Sequence, residues 1–178
     1  MHILIGLMTV LAVWIRRDYR NWKEYHTTML YIAIGNLMYN FLCANYLLWK
    51  FNPDILSNHT LTEVVYTLIV FPGTVLMFLA KYPSTPKRIF LHYVTWISVY
   101  VGFEVVFLVL DKIYYQHGWH LGWSALFDCI MFPMLRLFYK KPLVAYVLSI
   151  PIAVFFIYYF DVPVHIPMEE RLNYIANK

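Results

Sequence analysis

Two carboxylates stand inside long apolar stretches of this chain, where an ionised side chain is costly. Glu104 lies in the stretch 89–110, and Asp128 lies in the stretch 119–138. A carboxylate near the centre of a bilayer costs at least about 2.5–3.5 kcal/mol on insertion scales, and such residues face the interior of a helix bundle. Two carboxylates that share a low-dielectric site cannot both ionise easily. The chemistry that they offer is therefore the binding of a proton or a small cation.

Amide and hydroxyl side chains accompany the two carboxylates. Asn36, Tyr39 and Asn40 follow an i, i+3, i+4 spacing, which places them on one face of a helix. In two other stretches a tyrosine or a serine precedes each carboxylate by four residues. At 1.5 Å per residue, Asn40 and the two carboxylates lie roughly 10–13 Å from the same end of their helices. The sequence predicts one polar pocket within the bundle, lined by Asn36, Tyr39, Asn40, Tyr100, Glu104, Ser124 and Asp128.

The same residues also have a structural interpretation. Asn36 and Asn40 can form hydrogen bonds between helices, which contribute about 0.6–2 kcal/mol each in model systems. Glu104 and Asp128 can be protonated groups that only hold neighbouring helices together. The sequence leaves both interpretations open.

Other site chemistries receive little support. His117 and His120 have the spacing of a metal-binding pair, with Asp111 as a third candidate ligand, but two solvated histidines in a loop explain them equally. The chain contains no glycine-rich phosphate loop, no HExxH or GxSxG motif and no paired-cysteine motif. The sequence therefore predicts no catalytic residue and no cofactor, and it favours a protein that is not an enzyme.

Composition indicates the class of element that must position these residues. Of 178 residues, 61% are hydrophobic, 20% aromatic and only 13% charged. A soluble domain is about half apolar and about a quarter charged. These values exclude a soluble globular domain, a disordered chain and a nucleic-acid-binding domain.

Six apolar stretches can be drawn, and most have the length of a membrane-spanning helix. They cover residues 1–15, 28–49, 62–80, 89–110, 119–138 and 142–160. A helix needs roughly 20 residues to cross the hydrocarbon core of a bilayer, and only the first stretch is clearly shorter. Its basic residues follow it, whereas those of a signal peptide precede the apolar run. The sequence predicts an all-α bundle of about six transmembrane helices in a single domain, 1–178.

The distribution of lysine and arginine predicts the orientation of this bundle. Alternate loops carry ten basic residues on one side and four on the other, and the positive-inside rule assigns the richer side to the cytoplasm. Both termini are then outside. The richer side contains Arg16, Arg17, Arg20, Lys23, Lys81, Lys87, Arg88, Arg136, Lys140 and Lys141, and the other contains Lys50, Lys112, Arg171 and Lys178.

Several motifs resemble those of a family of small multi-pass membrane proteins from endospore-forming Gram-positive bacteria. They are Trp22, the run 35–40, the run 58–61, the turn 117–119, and the long run 130–136 with 139–142. The resemblance covers the chain from about residue 20 to 160. It implies a bacterial cytoplasmic membrane and a multi-pass topology rather than a reaction. In that family an acidic residue often stands at the position of Asn36, so this chain lacks one charge of the family pattern.

Three functional hypotheses follow from the sequence. The first is transport of a small solute, or proton- or cation-linked transport, with Glu104 and Asp128 as the charged pair. The second is a structural or accessory membrane protein that binds lipid, a protein partner or a second copy of this chain. The third is a lipid-handling protein that uses the carboxylates toward the outer leaflet.

Overall fold

Prolines and polar caps set where the helices of this chain begin. Pro86 and Pro142 each occupy the first position of a helix, where the missing N–H costs nothing. Asn58 and His120 cap two further helices, because their side chains accept the N–H groups of Leu61 and Gly122.

The computed structural model describes residues 1–54, 56 and 58–176. Helices account for 74% of the chain, which confirms the predicted all-α class. There are seven α-helices in this part of the chain: α1 His2–Arg16, α2 Trp22–Leu42, α3 His59–Ala80, α4 Pro86–Val109, α5 Leu121–Lys140, α6 Pro142–Tyr159 and α7 Arg171–Ala176.

Four of these helices, α3 to α6, are long and apolar enough to cross a membrane. Helix α1 has 15 residues and is short for a crossing. Helix α2 has 21 residues, but its first two turns are polar. A count of about six transmembrane helices therefore stays a prediction.

Helix α2 differs most from the predicted span 28–49, since it begins six residues earlier and ends seven residues earlier. The helix ends at Leu42 because the backbone carbonyls at its end accept hydrogen bonds from a side chain elsewhere in the chain and the backbone then turns. Arg171 donates hydrogen bonds to the carbonyls of Leu42 and Ala44, and Asn45 adopts a left-handed conformation with φ of 61°. The C-terminal tail thus caps this helix.

Two short strands, which the sequence did not predict, join the loops at one end of the bundle. Strand β1, Trp49–Phe51, pairs antiparallel with β2, Ile113–Tyr115, so that Lys50 faces Tyr114. The pairing links the loop after α2 to the loop after α4. We call this the strand end of the bundle, and we call the opposite end, which carries the ten basic residues of the richer side, the basic end.

Helix α3 is the central helix of the bundle. It packs against α1 and α2, and it is far more buried than the other candidate spans. Its segment Tyr66–Val70 forms a wider π-type turn just before Pro72, which has no N–H to donate. Helices α5 and α6 continue through Pro133 and Pro151. The main apolar core joins α2, α3 and α5 and contains Tyr25, Ile32, Val75, Leu76, Phe78, Leu79, Phe132 and Leu135.

Side chains from α1 and α4 complete the last turn of α3. Arg16 donates to the carbonyl of Met77 at 2.9 Å, and His92 contacts the carbonyl of Phe78 at 3.0 Å through Nε2. The last four carbonyls of a helix have no hydrogen-bond donor within it, and a buried carbonyl without a donor lowers stability. His92 therefore has a structural role at the end of this helix.

Close packing of α1 on α3 depends on glycine. A Cβ atom added at Gly73 would lie 2.4 Å from the Cγ2 atom of Thr9, and one at Gly6 would lie 3.1 Å from Val65. Thr9 cannot easily turn away, because its hydroxyl donates to the carbonyl of Ile5 at 2.8 Å. Gly73 therefore sets the distance between the two helices.

We expect Gly73→Ala to lower the melting temperature of the purified protein, because the overpacked α1–α3 contact costs about 1–3 kcal/mol. Gly102→Ala is the matched control, since nothing lies within 4 Å of a Cβ atom there. Helix propensity predicts a gain of up to about 1 kcal/mol for this control. Thermal unfolding in detergent, followed by circular dichroism, measures both. Equal stabilisation by the two substitutions would contradict the packing interpretation.

Candidate functional site: buried carboxylates at the strand end

Glu104 is the centre of a hydrogen-bonded cluster that joins α4, β2 and α5. The hydroxyl of Tyr115 donates to its Oε1 atom at 2.7 Å, and the hydroxyl of Ser124 donates to the same atom at 2.5 Å. Ser124 in turn accepts the indole N–H of Trp119 at 2.9 Å. The strand pairing positions Tyr115 for this contact, and the first turn of α5 positions Ser124.

Asp128 provides a second carboxylate next to this cluster. It lies one helical turn after Ser124, it is only 5% exposed, and its charge interacts with that of Glu104. Within the described part of the chain, the ion pairs involve Asp54, Asp18 and Glu63, so no lysine or arginine pairs with either carboxylate. The α4–α5 interface therefore contains two carboxylates without a compensating cation among the residues that the structure describes.

Tyr115 is a fixed hydrogen-bond donor to this interface. Burial raises the pKa of its hydroxyl above the usual value, and the hydrogen bond to the Glu104 carboxylate raises that pKa further. The hydroxyl therefore stays protonated at physiological pH. It donates a hydrogen bond to Glu104.

Tyr100 connects the carboxylate pair to the central helix. Its hydroxyl donates to the hydroxyl of Thr74 at 2.7 Å, and Thr74 donates to the carbonyl of Val70 at 2.9 Å. Tyr100 also lies one helical turn before Glu104 on α4. Its contact with Thr74 joins α4 to α3 beside the two carboxylates.

A second cluster forms around Glu63 in the first turns of α3. Asn36 donates from Nδ2 to Glu63 Oε2 and to the hydroxyl of Thr67, each at 2.8 Å. Asn40 donates to Glu63 Oε2 at 3.3 Å and to the carbonyl of Asn36 at 3.0 Å. Because α2 ends at Leu42, Asn40 lies in its last turn and not roughly 13 Å inside it. The two amides thus bind α2 to a buried carboxylate of α3.

His59 faces the other oxygen of Glu63. The backbone N–H of Phe51 donates to His59 Nδ1 at 3.1 Å, so a neutral ring carries its proton on Nε2. That atom lies 3.8 Å from Glu63 Oε1, and each is buried without a hydrogen-bond partner among the described residues. This separation is longer than a hydrogen bond, so the imidazole and the carboxylate face one another without bonding directly.

Tyr39 has a different task from the other predicted pocket residues. Its hydroxyl accepts the N–H groups of Leu48 and Trp49 at 3.1 Å and donates to the carbonyl of Trp49 at 3.2 Å. Its ring stacks on that of Trp49 at 4.9 Å. Tyr39 therefore fixes the chain between α2 and β1.

The seven predicted pocket residues fall into separate groups. Tyr100, Glu104, Ser124 and Asp128 lie on α4 and α5, whereas Asn36 and Asn40 of α2 bind Glu63 of α3. Sequence reasoning missed Glu63 because it is the second residue of the predicted span 62–80 and therefore lies at the end of that span and not inside it. A signal was present, since Glu63 and Thr67 are four residues apart on one helical face. A single shared pocket stays a prediction.

The histidine pair of the sequence analysis has local contacts instead of a common ligand. His117 stacks on Tyr46 with ring centroids 3.6 Å apart, and partial burial lowers the pKa of His117. His120 caps α5 through the N–H of Gly122. Over the described ranges, no three histidine, cysteine, aspartate or glutamate side chains are grouped closely enough to hold a metal ion.

Comparisons of this chain with protein-family models, with curated proteins and with solved structures gave no match. The resemblance to small multi-pass membrane proteins therefore stays a prediction. The functional interpretation rests on the residues of the site itself.

We expect Asn36→Leu to destabilise the protein by about 1–3 kcal/mol, because Glu63 and Thr67 lose a buried donor. Asn40→Leu is the matched comparison, and its longer bond to Glu63 predicts a smaller loss, about 0.6–1 kcal/mol. Chemical or thermal unfolding in detergent gives the two free energies. If the two losses were equal, Asn36 would not be the main partner of Glu63.

Proposed function

We propose that this protein is a multi-pass membrane protein that binds and conducts protons or small cations through the Glu104–Asp128 pair. Six helices, α1 to α6, would cross a bacterial cytoplasmic membrane, with both termini outside. The observation that carries the proposal is a pair of carboxylates at the α4–α5 interface, half-buried Glu104 and buried Asp128, without a cationic partner among the described residues.

Exposed apolar helices support the membrane location. The most apolar window of α4 has none of its residues buried within the bundle, and that of α6 has very few. Side chains such as Leu143, Val109 and Phe90 are more than two-thirds exposed. Exposing such a surface to water is unfavourable by about 25 cal/mol per Å², whereas lipid tails solvate it.

The asymmetry of charge supports the orientation. The basic end of the bundle carries ten lysine and arginine residues and only two acidic residues, Asp18 and Glu24. The strand end carries Lys50, Lys112 and Arg171; Lys178, which the sequence count also assigned there, lies outside the described residues. A basic end of this kind faces the cytoplasm in multi-pass membrane proteins.

Electrostatics explains why two neighbouring carboxylates that form no ion pair would bind a cation. Removing two like charges from water costs several kcal/mol each, and the charges also repel one another at low dielectric constant. One proton or one small cation between the carboxylates offsets both costs. The donors Tyr115 and Ser124 engage Oε1 of Glu104, which leaves Oε2 for such a ligand.

We expect Glu104→Gln and Asp128→Asn each to reduce proton or cation flux to the leak of protein-free liposomes, because the binding charge is lost while the side-chain shape is kept. Proteoliposomes with a trapped pH-sensitive dye measure proton flux under an imposed gradient. Parallel vesicles with sodium or potassium gradients measure cation flux.

Glu170→Gln is the control, because it neutralises an exposed carboxylate in the C-terminal tail. Circular dichroism and thermal unfolding identify any variant that fails to fold. If the wild-type protein conducts and the folded double variant conducts equally, the carboxylate proposal is wrong. If the wild-type protein carries no flux, an accessory membrane protein becomes the better hypothesis.

A further inference from the structure

We propose that a groove at the basic end of the bundle binds one anionic phospholipid. The groove lies between α1, α3 and α4 and has a volume of about 430 Å³, which is within the usual range of ligand sites. Met77 forms its floor, Arg16 and Lys81 lie at its polar end, and Trp96 and Val99 of α4 form its apolar wall.

The polar end of the groove presents positive charge in a fixed position. Asp18 and the carbonyl of Met77 hold the guanidinium of Arg16 through Nε and Nη2. Lys81 is exposed, and within the described residues it forms no ion pair. A phosphate group placed here would contact a lysine with all three donors available and the free edge of an oriented arginine.

The groove becomes apolar toward the middle of α4. His92, Thr95, Trp96 and Val99 line it at helical spacing, and the seven steps from His92 to Val99 cover about 10.5 Å along the helix. The polar residues come first, nearer the basic end, and Val99 lies deepest. A ligand that fits this order has an anionic head and an apolar tail.

Charge complementarity selects the occupant. Ten basic residues and two acidic residues surround this end of the bundle, which favours a negatively charged headgroup over a zwitterionic one. A free phosphate ion has no apolar part that could contact the apolar wall of the groove, so we assign the site to a bilayer lipid. The inference rests on the membrane location in the proposed function but not on cation conduction.

Native mass spectrometry of protein extracted from vesicles of phosphatidylcholine and phosphatidylglycerol tests the assignment. We expect the wild-type protein to retain one phosphatidylglycerol in preference to phosphatidylcholine, also in the presence of excess inorganic phosphate. Lys81→Gln should weaken this retention about tenfold, because one charge-assisted contact is lost. Lys87→Gln removes an equal charge from the same end outside the groove and should change retention by less than about twofold.

A second pair of variants tests the apolar wall without changing charge. Val99→Trp fills the groove and should reduce phosphatidylglycerol retention about tenfold, whereas Val94→Trp should leave it unchanged. Both valines belong to α4 and both are 40% exposed, but only Val99 lines the groove. This pair decides the question if Lys81→Gln fails to fold.

The assignment is overturned if Lys81→Gln and Lys87→Gln reduce retention equally, which would indicate diffuse attraction to the basic end. It is also overturned if folded Val99→Trp and Val94→Trp retain lipid equally. Displacement of the lipid by inorganic phosphate alone would assign the site to a free anion. Since none of these measurements involves an ion gradient, they separate this inference from the cation proposal.

Discussion

A carboxylate in the apolar interior of a helix bundle is costly, and hydrogen bonds from neighbouring side chains reduce that cost. Much of the strand end of this protein supplies such hydrogen bonds. Tyr115 and Ser124 donate to Glu104, while Asn36 and Asn40 donate to Glu63. These donors come from β2, α5 and α2, so the helices must keep their relative positions for the carboxylates to be tolerated.

The same need for hydrogen bonds explains the arrangement of the loops. The short β1–β2 pairing brings Tyr115 over the end of α4, and the backbone of β1 orients His59 next to Glu63. Tyr39 holds the chain that leads into β1. At the opposite end Arg16 and His92 complete the last turn of α3. Side chains from neighbouring elements therefore satisfy polar groups at both ends of the central helix.

The polar contacts also assign different tasks to the two halves of the bundle. The strand end contains the buried carboxylates and their donors, and it supports the proposed binding of protons or cations. The basic end contains the groove that we assign to an anionic lipid. The two faces of a membrane differ in surface charge. The lysine and arginine residues of this chain are likewise concentrated at one end of the bundle, the basic end.

Composition and the spacing of apolar residues determined the helical class and the approximate position of most helices, because the 3.6-residue period and the length of apolar runs are local properties. They also placed Ser124 and Asp128 on one face of one helix, and Tyr100 and Glu104 on one face of another. Only the tertiary structure decided which polar groups meet. It paired Asn36 with Glu63, ended α2 at Leu42 and formed two strands, since those outcomes depend on hydrogen bonds between residues far apart in the chain.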